Sequence, residues 1–373
     1  MNLNAPSSNS IATQADMHNC IQKVATGPEY SKNLSFEEAK AGMELILRGE
    51  ADPVQAAVYL IALRMKRETH AENEGILQAI LDARVHVISN AEEIVDIGDP
   101  YNGQLRGLPL APFIAPVLSA CGVPAFSHGV GSVGPKFGIT HKMVLDAAGV
   151  DVDRSPQQVA DQMANTDIGW GYVDQSNYCP SLYALISLRE KMIKRTVITT
   201  IEVLAKPISG SQRTHLLTGF VHKAYPAIYA NLARFAGYHS VAVVRGVEGG
   251  VLPSLQQISR FYRCTAGAED RFIEIEPTQL GIDQPSRAVR LPDGQKSLQQ
   301  ASRETKYAAA RTAAELGIEA LKNAPGAARD SLMYGVAIVL LHLERYPNLK
   351  DAAQFVKKVI ASGDAYDKFA AHK

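Results

Sequence analysis

The chain has 373 residues, with 38 Lys and Arg side chains balanced by 38 Asp and Glu, and 46% of its residues are hydrophobic. This composition is typical of a globular protein and argues against a polyanion binder that is basic over its whole surface, although it leaves room for a local basic groove. The length exceeds the ~250–300 residues at which single cores stop growing, so we expect two domains.

The cysteines and the N-terminal region indicate the compartment. Cysteines at four scattered positions lack the spacing of zinc sites or disulfide frameworks, which favours free thiols in a reducing compartment: Cys20, Cys121, Cys179 and Cys264. The polar N-terminus has no apolar run like that of a signal peptide, and no stretch approaches the ~18 apolar residues of a membrane helix. We expect a flexible tail over residues 1–20 and a cytoplasmic protein that does not contact a membrane.

The segment after the tail is predicted to be helical. Ser35 and Glu38 have capping-box spacing and precede apolar residues at helical intervals. Asp52 followed by Pro53 is a second helix start, with Asp as the N-cap and Pro in the first turn. A third helix is predicted over residues 71–83. These helices predict a small α-helical domain.

Strands and helices alternate after residue 90. The apolar run Ile94–Gly98 predicts a strand that leads into a loop. Further strands are predicted at 123–126, 196–201 and 240–244, and helices at 113–121, 142–148, 181–192, 227–236, 325–343 and 351–362. This alternation predicts an α/β fold with a mainly parallel central sheet. We therefore expect a small N-terminal α-helical domain over residues 21–90, completed by a later helical segment, and a large α/β domain over residues 91–373.

A series of short stretches resembles anthranilate phosphoribosyltransferase, a family that shares its fold with the pyrimidine nucleoside phosphorylases. The matching stretches follow the family's order along the chain: Arg48–Glu50, Ala62–Thr69, Gly122–Pro124, His128-Gly129, Arg189-Glu190, Pro277–Gly281, Ala327–Asp330 and Ala361–Ala365. The resemblance spans roughly residues 33–369. It implies a homodimer formed through the helical domain and a ligand site in the cleft between the two domains.

The loop after the first predicted strand departs from the family. Where the family has a Gly-Thr-Gly-Gly-Asp diphosphate cradle, this chain has Asp99-Pro100-Tyr101-Asn102-Gly103. Pro100 has no N–H to donate, Tyr101 is bulky, and the Asp99 carboxylate repels a phosphate. Because Asn102 and Gly103 are common in turns, a plain structural turn is the alternative interpretation.

The magnesium site of the family also lacks its ligands. The family's Asn-Ile-Ser-Thr segment aligns with Pro109–Pro112, which has no hydroxyl group. Its adjacent Asp-Glu pair aligns with Val251 and Leu252, which offer no oxygen ligands to a hard cation. Glu248 lies nearby as a single loop carboxylate. We therefore predict no metal site and no cofactor, with Mg²⁺ binding only if the family's chemistry survives.

Several candidate substrate-binding residues remain. The resemblance places His128 and Gly129 against the aromatic substrate, and Ser132 and Lys136 follow them in a glycine-rich loop that is either a ligand clamp or a structural hinge. Arg189 matches the arginine that pairs with the carboxylate of anthranilate, and a solvated helix face is its alternative. Lys206 falls at the cleft between the domains.

Two functions are compatible with these residues. One is glycosyl transfer, of ribosyl or phosphoribosyl groups, to an unidentified aromatic or nucleobase acceptor. The other is nucleic-acid binding in a basic cleft that contains Lys136, Arg189 and Lys206. In that cleft four aromatic side chains would stack on bases: Tyr101, Trp170, Tyr172 and Tyr178. Trp170 is, however, more typical of a core residue. A small-molecule sensor or an inactive partner subunit is a third, less specific alternative.

Overall fold

The computed structural model describes residues 13–372, apart from the side chain of Asp293. Its first part is helical, with helices α1 (Gln14–Val24), α2 (Phe36–Leu47), α3 (Pro53–Lys66) and α4 (His70–Ala83). The predicted starts of α2 and α3 are confirmed. Ser35 and Glu38 form a reciprocal capping box, and the Asp52 side chain accepts from the first backbone amides of α3.

Helix α1 corrects the expected flexible tail over residues 1–20. It begins at Gln14 and buries Met17 and Cys20 among the apolar residues of the other helices. These buried side chains hold the segment in place, so the expectation is wrong for residues 14–20. The rest of the expected tail, residues 1–12, lies outside the described residues.

The second part alternates strands with helices. The strands are β1 (Val87–Ile88), β2 (Glu93–Gly98), β3 (Ala125–Gly129), β4 (Trp170–Asp174), β5 (Ile208–Ser209), β6 (Arg213–Gly219), β7 (Ser240–Val244), β8 (Ser259–Thr265) and β9 (Arg271–Ile275). The helices are α5 (Ile114–Ala120), α6 (His141–Ala147), α7 (Pro156–Ala164), α8 (Gln175–Tyr178), α9 (Pro180–Tyr183), α10 (Ile186–Met192), α11 (Ile198–Ile201), α12 (Tyr225–Phe235), α13 (Arg303–Leu321), α14 (Ala327–His342), α15 (Leu349–Ser362) and α16 (Asp364–Ala371).

The central sheet has the strand order β4-β3-β2-β6-β7-β8-β9. The pairs from β4 to β7 are parallel, whereas β8 and β9 are added antiparallel at one edge. The predicted fold class, a small helical domain with a larger α/β domain and a mainly parallel sheet, is confirmed. Among the described residues no helix is long and apolar enough to cross a membrane.

Two predicted elements were wrong. Residues 196–201 form no strand, and 198–201 form helix α11: their β-branched side chains suit a strand locally, but the segment packs beside α4 as a buried turn of helix. The single helix predicted over 181–192 is divided between α9 and α10. Strands β4 and β6 and helix α13 were not predicted.

The sheet topology determines where a ligand cleft lies. Chain connections run from β2 outward through β3 and β4 on one side, and from β6 to β7 on the other. In open α/β sheets ligands bind beyond the carboxyl ends of the strands, where the strand order reverses. In this molecule that point lies between β2 and β6, next to the loops that begin at residues 99 and 220.

Candidate functional site

A cleft with a volume of about 110 Å³ lies at this reversal point. It is lined by Asn102 from the loop after β2, Thr218 of β6, Arg64 of α3 and His222 before α12. The Arg64 guanidinium donates to the Tyr225 hydroxyl at 2.6 Å. The cleft therefore combines helical-domain and sheet residues and offers both cationic and aromatic side chains to a ligand.

The loop that replaces the diphosphate cradle is a closed turn. Gly103 N donates to Pro100 O at 3.0 Å, and Asn102 O accepts from Gly138 N at 2.8 Å. Gly103 has a φ of 70°, and a Cβ there would lie 2.4 Å from Ile139 O. The Gly103 amide and the Pro100 and Asn102 carbonyls thus bond within the protein, and the loop forms the turn that was the alternative interpretation.

Asp99 joins this turn to the loop after β7. Its Oδ1 accepts from Val251 N at 2.8 Å, and its Oδ2 lies 3.2 Å from His141 Nε2. Gly250 packs closely against this carboxylate: a Cβ at position 250 would lie 3.0 Å from Asp99 Oδ1. The two loops that would hold a diphosphate and its metal are thus bonded directly to each other.

Tyr101 and His128 lie in the protein interior, beneath the cleft. The Tyr101 hydroxyl contacts His128 Nδ1 and the Tyr178 hydroxyl, while His128 Nε2 lies 2.8 Å from Asp96 Oδ1. Asp96 Oδ2 accepts from the Tyr238 hydroxyl at 2.7 Å. Burial raises the pKa of Tyr101 well above its usual value, so the hydroxyl stays protonated.

The aromatic residues expected to stack on bases are buried as well. The rings of Tyr101, Tyr172 and Tyr178 are at most 3% exposed, which contradicts the expected stacking role, because a base cannot reach them. Trp170, interpreted as a core residue, is fully buried, and its Nε1 donates to Lys368 O at 2.9 Å.

Arg189 and Lys206 bind protein groups instead of facing the cleft. Arg189 forms a buried, bidentate ion pair with Glu202, with N–O distances of 2.7 and 2.8 Å. Lys206 Nζ donates to Gly237 O at 2.6 Å and lies 5.0 Å from the centre of the Tyr238 ring. Burial lowers the pKa of Lys206 to about 8. The basic groove expected from these two residues and Lys136 is therefore absent from the described surface.

The remaining candidates lie on and after β3. Gly129 ends that strand and is buried, and Ser132 is half-buried in the following loop. Neither belongs to the described lining of the cleft. Lys136 Nζ pairs with Glu248 Oε2 at 2.6 Å. Of the candidate binding residues predicted from the sequence, Asn102 lines the cleft directly, as do its neighbour Pro100 and the loop residue Glu248.

Glu248 occupies the space between these loops. Its carboxylate accepts from Leu105 N at 3.1 Å and from Arg106 N at 2.6 Å, in addition to Lys136. Val251 and Leu252, at the positions of the family's metal carboxylates, are buried apolar residues. Among residues 13–372 no group of three or more His, Cys, Asp or Glu is arranged to hold a metal. The residues present do not fit a magnesium diphosphate.

A second depression, of about 610 Å³, adjoins the cleft and shares Phe220, Val221 and Glu248 with it. Five exposed cationic side chains line it, and we call it the arginine pocket: Arg106, Arg245, Arg287, Arg290 and Lys296. None of the five forms an ion pair with a described carboxylate. Sequence reasoning missed this pocket, although three of its cations fall within residues 287–296.

These features define a two-domain α/β protein with a cleft at the carboxyl ends of its parallel strands. Residues 18–83 match the helical bundle domain of a glycosyl transferase family, and residues 110–366 match the a/b domain of the same family. The chain belongs to this glycosyl transferase family, and the resemblance to anthranilate phosphoribosyltransferase is confirmed.

Individual relatives are similar over most of the chain. An anthranilate phosphoribosyltransferase of Burkholderia mallei is 28% identical over 328 residues, which cover 87% of this chain and 89% of that protein. An uncharacterized protein of Aquifex aeolicus is 29% identical over 254 residues, covering 68% of this chain and 74% of that protein.

Solved structures show the same fold at lower identity. Anthranilate phosphoribosyltransferase from Thermus thermophilus superposes with a TM-score of 0.70 at 21% identity, covering 96% of this chain and 98% of that one. The Saccharomyces cerevisiae enzyme in complex with PRPP and Mg superposes with a TM-score of 0.73 at 15% identity, covering 97% and 98%. These likenesses concern the fold alone.

Proposed function

We propose that this protein binds single-stranded nucleic acid through the arginine pocket and the adjoining cleft. One observation carries the proposal: five exposed cations line one depression of a molecule whose formal net charge is zero, and none is neutralised by a described carboxylate. Unpaired guanidinium groups in a concave surface attract phosphate oxygens strongly, because the planar fork donates two hydrogen bonds at once.

The cleft beside the pocket supplies surfaces for bases. His222 is exposed and Tyr225 is half-buried, and their rings lie 6.2 Å apart at the rim of the cleft. Stacking on aromatic rings is worth ~1–3 kcal/mol per base and tolerates any sequence. A strand would pass its phosphates over the arginine pocket and its bases over this rim, without need of a metal ion.

The closed diphosphate loops support binding over transfer. Phosphoribosyl transfer requires donors aimed at the diphosphate, and removing one such donor typically costs ~2.7–4 kcal/mol of transition-state stabilisation. Here the amides of residues 103–106 and the Asp99 carboxylate already bond within the protein. An incoming diphosphate would have to break several of these contacts before any chemistry began.

The test is binding of a fluorescent single-stranded oligonucleotide at two salt concentrations. Replacing Arg287, Arg290 and Lys296 together with Ala removes three phosphate contacts, so the salt slope should fall by about 2 and the affinity at low salt by at least tenfold. The matched control changes three exposed lysines of another face, Lys350, Lys357 and Lys358, to Ala. Equal binding by both triple variants would contradict the proposal.

Glycosyl transfer to an unidentified acceptor is the second candidate. The observation that favours it is the open cleft at the strand-order reversal, lined by Asn102 and Thr218, in a chain that belongs to a glycosyl transferase family. A ligand that binds only the folded state must raise the melting temperature. Stabilisation by phosphoribosyl pyrophosphate with Mg²⁺, and not by either alone, would favour this candidate over nucleic-acid binding.

We propose a homodimer formed through the helical domain. Exposed apolar side chains cluster around α3, where Val54 is 71% exposed, Val58 40% and Met65 79%. Such a patch is typical of a surface covered by another subunit. Light scattering should give twice the chain mass of 40.3 kDa, and changing Val58 and Met65 to Asp should give the single-chain mass. A monomeric wild type would contradict this assembly.

A further inference from the structure

An exposed isoleucine near the cleft has an unfavourable backbone conformation. Helix α10 ends at Met192, and Ile193 follows it with φ 60° and ψ 0°, in the left-handed region. A β-branched residue rarely adopts this conformation, because its side chain crowds the backbone. Among the described non-glycine residues with a positive φ, Ile193 is the only β-branched one. The helix end would therefore suit Gly or Asn better than Ile.

Core packing does not account for this isoleucine. Ile193 is 70% exposed, so most of its side chain contacts no other part of the protein. Glycine at this position would end the helix with less strain and would leave less apolar surface in water. Backbone strain is concentrated at binding sites. The strain and the exposure together indicate that Ile193 contacts another molecule.

Cations flank Ile193 on both sides. Lys191, Lys194 and Arg195 are exposed, and none of them forms an ion pair with a carboxylate of the described residues. Glu190 is the single acidic residue between positions 190 and 195. The segment thus presents one apolar side chain among three positive charges, and a complementary partner must place anions around an apolar group.

Arg195 brings this segment to the cleft. Its side chain lines the cleft together with those of Tyr225 and Tyr229. Two residues of chain span at most about 7 Å, so Ile193 lies close to the rim of the cleft. Proteins that bind nucleic acids insert apolar side chains such as Ile between adjacent bases while cations contact the phosphates. A strand of nucleic acid has the chemistry that this segment requires, because its bases lie between its phosphates.

We propose that Ile193 inserts between two adjacent bases of a single-stranded nucleic acid, while Lys191, Lys194 and Arg195 contact the flanking phosphates. This inference rests on the proposed nucleic-acid binding and adds to it a base-contacting residue outside the arginine pocket. Insertion buries the isoleucine side chain and separates one pair of stacked bases. It requires no particular base, so the contact tolerates any sequence.

The experiment compares a fluorescent single-stranded oligonucleotide with a base-free deoxyribose-phosphate chain of the same length. Ile193→Gly should bind the oligonucleotide about tenfold more weakly than wild type, because it loses the burial of one isoleucine. It should bind the base-free chain as wild type does, since the cations remain. Ile193→Leu keeps an apolar side chain and should retain oligonucleotide binding. Leu316→Ala, at an exposed apolar position of α13, is the control and should bind both probes normally.

Two further measurements separate insertion from a structural role. A fluorescent adenine analogue in the oligonucleotide becomes brighter when its neighbours unstack, so saturating wild type should raise its emission more than saturating Ile193→Gly does. The melting temperature of Ile193→Gly should equal or exceed that of wild type, because glycine relieves the backbone strain. A lower melting temperature would show that the isoleucine supports the fold and would contradict the proposal.

The remaining outcomes distinguish this inference from the proposed function. Equal oligonucleotide affinity in wild type and Ile193→Gly would overturn the insertion and leave binding by the arginine pocket standing. Equal weakening on both probes would overturn it as well, because the side chain would then not act on bases. A smaller light-scattering mass for Ile193→Gly would assign the residue to a contact between subunits instead. A wild type that binds no oligonucleotide would overturn both proposals.

Discussion

Two sets of cations in this molecule differ in what they bind. Arg189, Lys206 and Lys136, at positions marked by the family resemblance, are buried or half-buried and bond to a carboxylate or to backbone carbonyls. The cations of the arginine pocket were not chosen from the family resemblance, are exposed, and have no described carboxylate partner. A family alignment can locate a charge along the chain, but whether the charge is available to a ligand depends on its local partners.

The largest effect expected from this comparison is on stability. Changing Arg189 to Leu leaves the Glu202 carboxylate buried without a partner, which should lower the free energy of unfolding by about 3–5 kcal/mol. Arg287→Ala, in the arginine pocket, should change it by less than about 0.5 kcal/mol, since it breaks no ion pair with a described carboxylate. Urea denaturation of both variants measures the difference.

A double variant separates the ion pair from mere packing. Replacing both Arg189 and Glu202 with Leu removes the buried charges together, and such replacements are often neutral or stabilising. We expect the double variant to recover most of the stability that Arg189→Leu loses. A double variant less stable than the single one would show that the pair contributes more than mutual neutralisation.

Arg189 and Lys206, which were predicted to line a basic cleft, also show which features the sequence could not predict. The capping residues of α2 and α3 and the strand at residues 94–98 follow local rules, and the structure has them as predicted. The partner of Arg189 is Glu202, just beyond α11, in a segment whose β-branched residues favoured a strand prediction. An ion pair that depends on tertiary packing gives no local signal.

The contacts between the loop after β2 and the loop after β7 could be predicted from the sequence even less. Glu248 and the Leu105 and Arg106 amides are 143 and 142 residues apart in the chain, so no spacing rule connects them. The resemblance predicted that the diphosphate cradle and the metal carboxylates are replaced. It could not show that the two loops bond to each other through Asp99 and Glu248, since that contact depends on the order of strands in the sheet.

The next effect concerns pH and distinguishes Lys206 from an exposed lysine. Its pKa is lowered from 10.5 to about 8, so the folded protein releases this proton while the unfolded chain still holds it. Wherever the unfolded state binds more protons, stability rises with pH. Relative to Lys206→Met, wild type should therefore gain about 1 kcal/mol between about pH 7.5 and about pH 9.

Titration of other groups cancels in that comparison, because both proteins contain the same tyrosines and cysteines. Lys350→Met, at an exposed position of α15, is the matched control and should show no such gain. A constant stability difference between wild type and Lys206→Met across this range would mean that the ammonium group keeps an ordinary pKa, and that Lys206 is less desolvated than its contacts with Gly237 and Tyr238 require.

The smallest effect tests how far the arginine pocket extends as one surface. Arg245 directly follows β7 and lines the pocket from a different segment of the chain than residues 287–296. If a single strand crosses the whole pocket, Arg245→Ala should reduce the salt slope of oligonucleotide binding by about 0.7, the value for one phosphate contact. Lys350→Ala should leave the slope unchanged. An unchanged slope in Arg245→Ala, together with a reduced slope in the triple variant, would confine the strand to the 287–296 side, because a phosphate that never reaches Arg245 releases no counterion there.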